Sequence, residues 1–249
     1  MDEGPAGSQR SSTAAFFDFD RTVVHGDAGM IFGRTLIAWA WGKARVERGR
    51  HRRLWYYSRI VVAVVSLLVQ EAVFRTLHLL RLIKRSTLVR TAYRRMRGLP
   101  SEEMAARMEE VWHATLATRI YPDMRNVIEE HRARGDRVVI VTTGLKPLVS
   151  MVQRYLGDMD VIAVTMGEEA GVWTGIVEGP LWGEHKADAV RDYAAAHGID
   201  LRRSYAYSDH VSDAAFLATV GNPICVNPDR RLAKIARKRG WTVKRVEPG

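Results

Sequence analysis

Short apolar runs recur along this chain, and stretches of helical composition lie between most of them. The runs are Ala14–Phe19, Arg137–Val141, Val161–Val164, Ser204–Tyr207 and Pro223–Val226. The helical stretches are Asp123–Arg134, Lys146–Tyr155, Lys186–His197, Ser212–Thr219 and Asp229–Arg239. A strand that reaches the next strand only through a helix must pair with it in parallel, and a parallel sheet is covered on both faces. The expected fold is therefore α/β, three layers deep, around a parallel sheet. Punctuation agrees: "HGID" places Gly198 as a left-handed stop after one helix, while Pro228 opens the last helix and Gly240 closes it. In such sheets ligands sit beyond the carboxyl ends of the strands. Asp18, Thr142 and Asp209 all fall at such ends.

Two segments break the alternation. "VTMGEEAGVWTGIVEGPLWGEHK" (164–186) alternates and carries glycines at turn spacing, so it reads as a small hairpin excursion. The larger break, residues 26–119, is Arg-rich and mostly helical in composition, and reads as an inserted cap. Within it "GLPSEEM" supplies a helix start, with Ser101 expected as the cap ahead of Glu103. The layout expected is a loose polar tail over 1–13, a core built from 14–25 and 120–249, and a helical cap over 26–119. Inside the cap, Ile60–Val69 is apolar except for Ser66, which is too short to span a bilayer. Two readings of this run stand, a buried cap helix and an interfacial helix, the second because its flanks are basic and Trp39, Trp41, Trp55, Tyr56 and Tyr57 lie nearby. The β-branched residues also allow a strand over its first half.

Charge is concentrated in the same place. Between Lys43 and Arg97 there are fifteen Lys/Arg against Glu47 and Glu71 alone, an excess of thirteen. The whole chain carries +10, so the remainder is close to −3. With 47% apolar and 27% charged residues over 249 positions, wholesale disorder is excluded and a sizeable core is available. The single cysteine, Cys225, excludes an internal disulfide and a thiolate metal cage, and in "PICV" it reads as buried packing. The N-terminal residues carry no signal pattern, so a reducing, cytoplasmic location is expected, with the basic cap offering peripheral contact to a membrane. No aromatic–basic module of known type appears, and nucleic acid is not among the expected partners.

The chemistry is carried by four elements in order. "FFDFDRT" drives a hydrophobic strand into Asp18 and Asp20, two carboxylates whose mutual repulsion calls for a cation. Both acids can serve one site only if the backbone turns at once, since successive extended residues face opposite ways. "VVIVTTG" follows with Thr142 and Thr143, "GEHKADAV" opens a helix with Lys186, and "YAYSDHVSDAAFL" gives Asp209 with Asp213 four residues on. Together these motifs resemble the haloacid dehalogenase superfamily, in the branch similar to phosphoserine phosphatases with a helical cap after the first motif.

The resemblance implies a Rossmann-like core and a phosphatase that acts through an aspartyl-phosphate. Asp18 would be the nucleophile and Asp20 the acid and base. Lys186 would cancel negative charge and bind substrate together with Thr142 and Thr143. Mg²⁺ would sit on Asp18, the backbone carbonyl of Asp20, and Asp209, with Asp213 behind them. Phosphoserine phosphatases also grip the serine through an acid after the first motif and an arginine in the cap. Here the first place holds Asp27, and where the arginine is expected the chain reads "VVAVVSLL". A basic, apolar cap fits a substrate with an apolar body and a phosphate head, such as a lysophospholipid or prenyl phosphate. Two other readings stay open: phosphoryl transfer to an acceptor other than water, and a regulatory or membrane-docking role on the same scaffold. His25, His113 and His185 show no metal-ligand spacing, and His210 is expected to face solvent.

Overall fold

The computed structural model describes residues 12–35, 38, 90, 91, 93, 94, 96–180 and 182–249. Its strands are β1 Ala14–Phe17, β2 Arg137–Leu145, β3 Asp160–Glu169, β4 Val172–Glu178, β5 Tyr205–Ser208, β6 Asn222–Val226 and β7 Thr242–Lys244. They form one sheet in the order β4-β3-β2-β1-β5-β6-β7, parallel throughout except for the antiparallel β3–β4 pair. The labelled helices are α1 Ser101–Val111, α2 Pro122–Ala133, α3 Lys146–Val149, α4 Gln153–Leu156, α5 Gly183–His197, α6 Ala214–Leu217 and α7 Arg230–Arg239. A further helical stretch covers 28–35.

The layers follow from period-two alternation on central strands buried on both sides. Ala15 and Phe17 of β1 join Val138, Ile140 and Tyr207 in one core, closed by Met104 and Met108 of α1 and by Met124 and Ile128 of α2. Ala14 and Phe16 face the other way, with Val139, Val141 and Ala206, against Val190 of α5 and Leu232 of α7. Strand order reverses at β1: β2 and β3 extend to one side, β5 and β6 to the other. The crevice between the ends of β1 and β5 is therefore the switch point where a doubly wound sheet binds its ligand.

Several elements depart from the sequence reading. The hairpin expected as an excursion is continuous with the third strand: β3 runs on to Glu169, turns through Ala170 and Gly171 at φ 49° and 75°, and returns as β4 at the sheet edge. Met166, Trp173 and Val177 bury one face of this hairpin, which holds it against the core. The helix expected over Lys146–Tyr155 breaks into α3, a 3₁₀ turn at Ser150–Val152, and α4. The one expected over Ser212–Thr219 is a 3₁₀ turn at Val211–Asp213 followed by α6. Ser101 does not cap α1; its hydroxyl donates to the Gly171 carbonyl at 3.1 Å, and Pro100 stands at the cap position. β7 has no periodic signal in three half-exposed residues and is added as the last parallel strand.

Backbone pairing ties down both flanks of the segment expected to be an insertion. His25 N–H donates to Arg119 at 2.7 Å and Tyr121 N–H to Val23 at 3.0 Å. On the return side Gly98 and Leu99 pair with Trp173 of β4, at 2.8 and 2.9 Å. The run 60–69 lies outside the described residues, as does most of the basic segment and the tail over 1–11. Among the described residues no helix is long and apolar enough to cross a membrane.

Candidate active site

The site begins where β1 ends. Asp18 N–H makes the last rung to β5, donating to Tyr207 at 2.9 Å, and the chain then turns sharply. Phe19 is buried and acts as the pivot: its carbonyl accepts from Val23 at 2.9 Å and from Val24 at 3.1 Å. Arg21 sits at φ 58°, a left-handed conformation that costs a non-glycine residue about 1 kcal/mol and recurs at functional sites. This turn is what the two closely spaced acids required. Asp20 thereby comes back toward the strand end, where it feels the charges of Asp18 and Lys186. Its Oδ1 accepts the Ala28 N–H at 2.7 Å.

Lys186 is the centre of the arrangement. It projects from the first turns of α5, is buried, and places Nζ 2.6 Å from Asp18 Oδ1 and 2.7 Å from Asp213 Oδ2. Gly183 makes this possible, because a Cβ there would lie 1.8 Å from the Ser212 carbonyl oxygen; α5 is pressed directly onto the loop that carries Asp213. Asp213 is fixed in turn by Ser208 Oγ, which donates to its Oδ2 at 2.8 Å, and by Ser212 Oγ at 3.3 Å. Asp209, buried, follows β5 directly, beside Asp18 on the neighbouring strand.

Electrostatics separate the roles of the acids. Burial pushes Asp18 up to about 6, with Lys186 restraining the rise and Asp213 adding to it. Burial and the neighbouring Asp27 carboxylate push Asp20 up to about 8. Burial and the charge of Asp18 push Asp209 to about 7, against the pull of Arg21. Burial would discharge Lys186, but the Asp18 and Asp213 carboxylates outweigh it and hold its pKa above the usual lysine range. Three buried carboxylates thus share one buried ammonium, and the crevice is short of positive charge.

That shortage tests the fit of a metal. Among the described residues no three His, Cys, Asp or Glu side chains cluster closely enough to form a metal cage. The donors on hand are two carboxylates at adjacent strand ends, Asp18 and Asp209. A sparse oxygen set of this kind suits Mg²⁺, which keeps several waters and takes one or two carboxylates.

The other side of the crevice is built by a bulge. The ladder from β2 to β3 loses register between Val141 and Leu145, so Thr142, Thr143 and Gly144 leave the regular pairing at the mouth of the crevice. Thr142 is buried, and its Oγ1 accepts the Gly144 N–H at 3.0 Å. The Thr143 carbonyl accepts from Tyr93 Oη at 2.8 Å. Tyr93 and Ser208 were not anticipated from sequence: a tyrosine in "RTAYRRM" and a serine ending "YAYS" carry no spacing that sets them apart. Asp27 turns out to cap the helix over 28–35, its Oδ1 accepting the Met30 N–H at 2.8 Å. His210 is half-buried rather than solvent-facing, and its Nδ1 accepts the Ser212 N–H at 3.2 Å at the head of the 3₁₀ turn. Cys225 is buried in the core, where burial pushes its thiol up to about 11.

Comparison with known proteins places this geometry. A protein named phosphoserine phosphatase SerB1, from Mycobacterium tuberculosis, is 31% identical over 245 residues, covering 96% of this chain and 74% of that protein. A Streptomyces azureus protein named for inhibition of morphological differentiation is 32% identical over 241 residues, covering 93% of this chain and 77% of its own. Among solved structures, a protein of unknown function from Bordetella pertussis Tohama I matches with a TM-score of 0.70 at 25% identity, over 94% of this chain and 98% of that one. A phosphoserine phosphatase solved as a phospho-aspartyl intermediate analogue shares the fold, with a TM-score of 0.61 at 20% identity over 94% of this chain and 93% of its own. The family model for haloacid dehalogenase-like hydrolases matches residues 15–218, and the chain belongs to that family, in the branch similar to phosphoserine phosphatases.

Proposed function

We propose that this hydrolase is a Mg²⁺-dependent phosphatase that cleaves a small-molecule phosphomonoester through an aspartyl-phosphate on Asp18. The observation that carries the reading is the buried Asp18–Lys186–Asp213 arrangement at the switch point, with Nζ 2.6 and 2.7 Å from the two carboxylates. A lysine held this way stays charged and neutralises an acid that must approach a dianionic phosphoryl group.

The steps follow from the acids. An Asp18 carboxylate oxygen attacks phosphorus and the bond to the substrate oxygen breaks. With its proton held to about 8, Asp20 is protonated at neutral pH and can deliver that proton to the departing oxygen. Water then attacks the phosphoryl group on Asp18, Asp20 takes the proton back, and orthophosphate leaves with Asp18 restored. Thr142 and the bulge around it hold phosphoryl oxygens, and Lys186 balances the charge they share with Asp18. Asp18, the Asp20 carbonyl and Asp209 would hold Mg²⁺, which supplies charge neutralisation at the phosphoryl oxygens when bound.

Two features bear on the substrate. Asp27 is committed to capping a helix, which disfavours its use as a grip on an amino group. A lipid or other amphipathic phosphate remains our proposal on the composition of the cap alone. The test is a phosphatase panel that includes phosphoserine, p-nitrophenyl phosphate and detergent-solubilised lysophosphatidate, run with and without Mg²⁺. Turnover is expected only with Mg²⁺, and Asp18→Asn should lower kcat by at least about a thousandfold. Equal turnover by wild type and Asp18→Asn would remove the mechanism, and robust turnover of phosphoserine alone would remove the amphipathic substrate.

A further inference from the structure

We propose that Tyr93 is a positioning residue for this reaction: by clamping the Thr143–Gly144 peptide it aims the Thr142 hydroxyl at the phosphoryl group. The inference rests on the phosphatase reading above and adds a residue that sequence and family do not assign.

One peptide unit carries the argument. The Thr143 carbonyl and the Gly144 N–H belong to the same rigid plane. Tyr93 Oη donates to that carbonyl at 2.8 Å, and the N–H donates to Thr142 Oγ1 at 3.0 Å. The plane is therefore held from both ends by side chains. It needs them, because the β2–β3 ladder is interrupted between Val141 and Leu145 and does not fix this unit.

The consequence falls on Thr142. A hydroxyl has one proton and two acceptor positions. Once the Gly144 N–H occupies an acceptor position, the proton points away from the bulge. Thr142 is fully buried where the β2–β3 ladder breaks, beside the end of β1 that leads into Asp18, and the acceptor we assign to this proton is an anion seated before Asp18. If the peptide plane turned, Oγ1 would lose its fixed partner and the hydroxyl would rotate freely.

Tyr93 is well placed to hold the plane. Its own segment is docked on the β3–β4 hairpin: Gly98 and Leu99 pair with Trp173, and at Gly175 (φ 74°) a Cβ would lie 2.9 Å from the Arg94 carbonyl oxygen. Side-chain room at Gly175 has been given up to let that backbone sit close. Burial, with the Asp20 and Asp27 carboxyl groups nearby, disfavours ionisation of the Tyr93 phenol, so it remains a donor to the carbonyl.

A double-mutant cycle tests the proposal. Tyr93→Phe, Thr142→Val and the double variant are assayed for kcat/KM on p-nitrophenyl phosphate and for inorganic phosphate binding by calorimetry. Tyr93→Phe alone should weaken both by about tenfold, the size of one hydrogen bond. In the Thr142→Val background the same change should move neither by more than about twofold, because the residue it acts through is gone. An equal loss in both backgrounds, or no loss in either, overturns the proposal. Phosphate binding keeps the two readings apart. A wild type that binds phosphate without turning over substrate sinks the hydrolase reading while the cycle on affinity still decides Tyr93. A wild type that does neither removes both.

Discussion

At the scale of single residues, the cost of buried polarity decides what each side chain can do. Lys186 lies among Asp18, Asp213 and Asp209 because an isolated carboxylate there would be expelled or protonated. A second buried polar chain joins Thr13, His131 and Asp136 to Tyr207 of the same sheet. His131 Nδ1 lies 2.7 Å from Asp136 Oδ2 and 2.8 Å from Arg134 Nη2, and its Nε2 lies 2.7 Å from the Tyr207 hydroxyl. Thr13 also donates to Asp136, and Arg134 Nε lies 3.5 Å from the same carboxylate. Burial, supported by the charge of Arg134 and opposed by Asp136 and Glu130, holds His131 below its ordinary 6.5. The unfolded chain therefore takes up this proton first. Stability contributed by neutral His131 is complete above pH 6.5 and is lost as pH falls from there toward the folded-state pKa. The raised acids Asp18, Asp20 and Asp209 pull the other way over this range, because the folded chain holds protons there that the unfolded chain releases, so the His131 share is read by difference. Between pH 7.5 and pH 5.5 the urea midpoint of wild type should fall relative to that of His131→Asn, which starts lower at pH 7.5.

At the scale of elements, the site is a product of close approaches. α5 delivers Lys186 only because Gly183 lets the helix touch the Ser212 carbonyl, and the 3₁₀ turn at Val211–Asp213 delivers Asp213 to the same point. Gly183→Ala would place a methyl 1.8 Å from that oxygen. The helix must then slide outward, taking Lys186 from Asp18. We expect a loss of about 3 kcal/mol, read from the denaturant midpoint. At a temperature where the variant is still folded, kcat should fall at least tenfold. Retention of both values would show that the contact is not needed. The β3–β4 hairpin is the other such element: it forms the sheet edge and also pairs with Gly98 and Leu99 through Trp173.

At the scale of the molecule, the sheet draws negative charge to its own centre. Asp18 and Asp209 end adjacent parallel strands, and each raises the energy of the other's charge. A divalent cation bound there as proposed would relieve that repulsion and so should stabilise the fold. At a hundred times its Kd a ligand contributes about 2.7 kcal/mol, which for a chain of this size is a rise in Tm of roughly 5–10 °C. We expect Mg²⁺ to raise the melting midpoint by that order. Asp209→Asn should melt higher than wild type without metal and lose most of the Mg²⁺ response. A Mg²⁺ shift that persists undiminished in Asp209→Asn would place the ion elsewhere. The strong positive charge between Lys43 and Arg97 lies mostly outside the described residues.

The alternation of apolar runs and helical stretches was enough to dictate a parallel α/β sheet, because parallel pairing and two-sided burial leave little choice once strands are spaced by helices. The order of acids and lysine was likewise visible, since each stands beside punctuation that ends a strand or begins a helix. What sequence could not supply was distance. That Lys186 is shared by Asp18 and Asp213, and that Tyr93 reaches Thr143, depend on residues far apart in the chain. The joining of β3 to its hairpin and the breaks in the helices after β2 and β5 were settled the same way. Local patterning encodes which face of an element is buried; only packing among the elements sets which polar groups meet once water is gone.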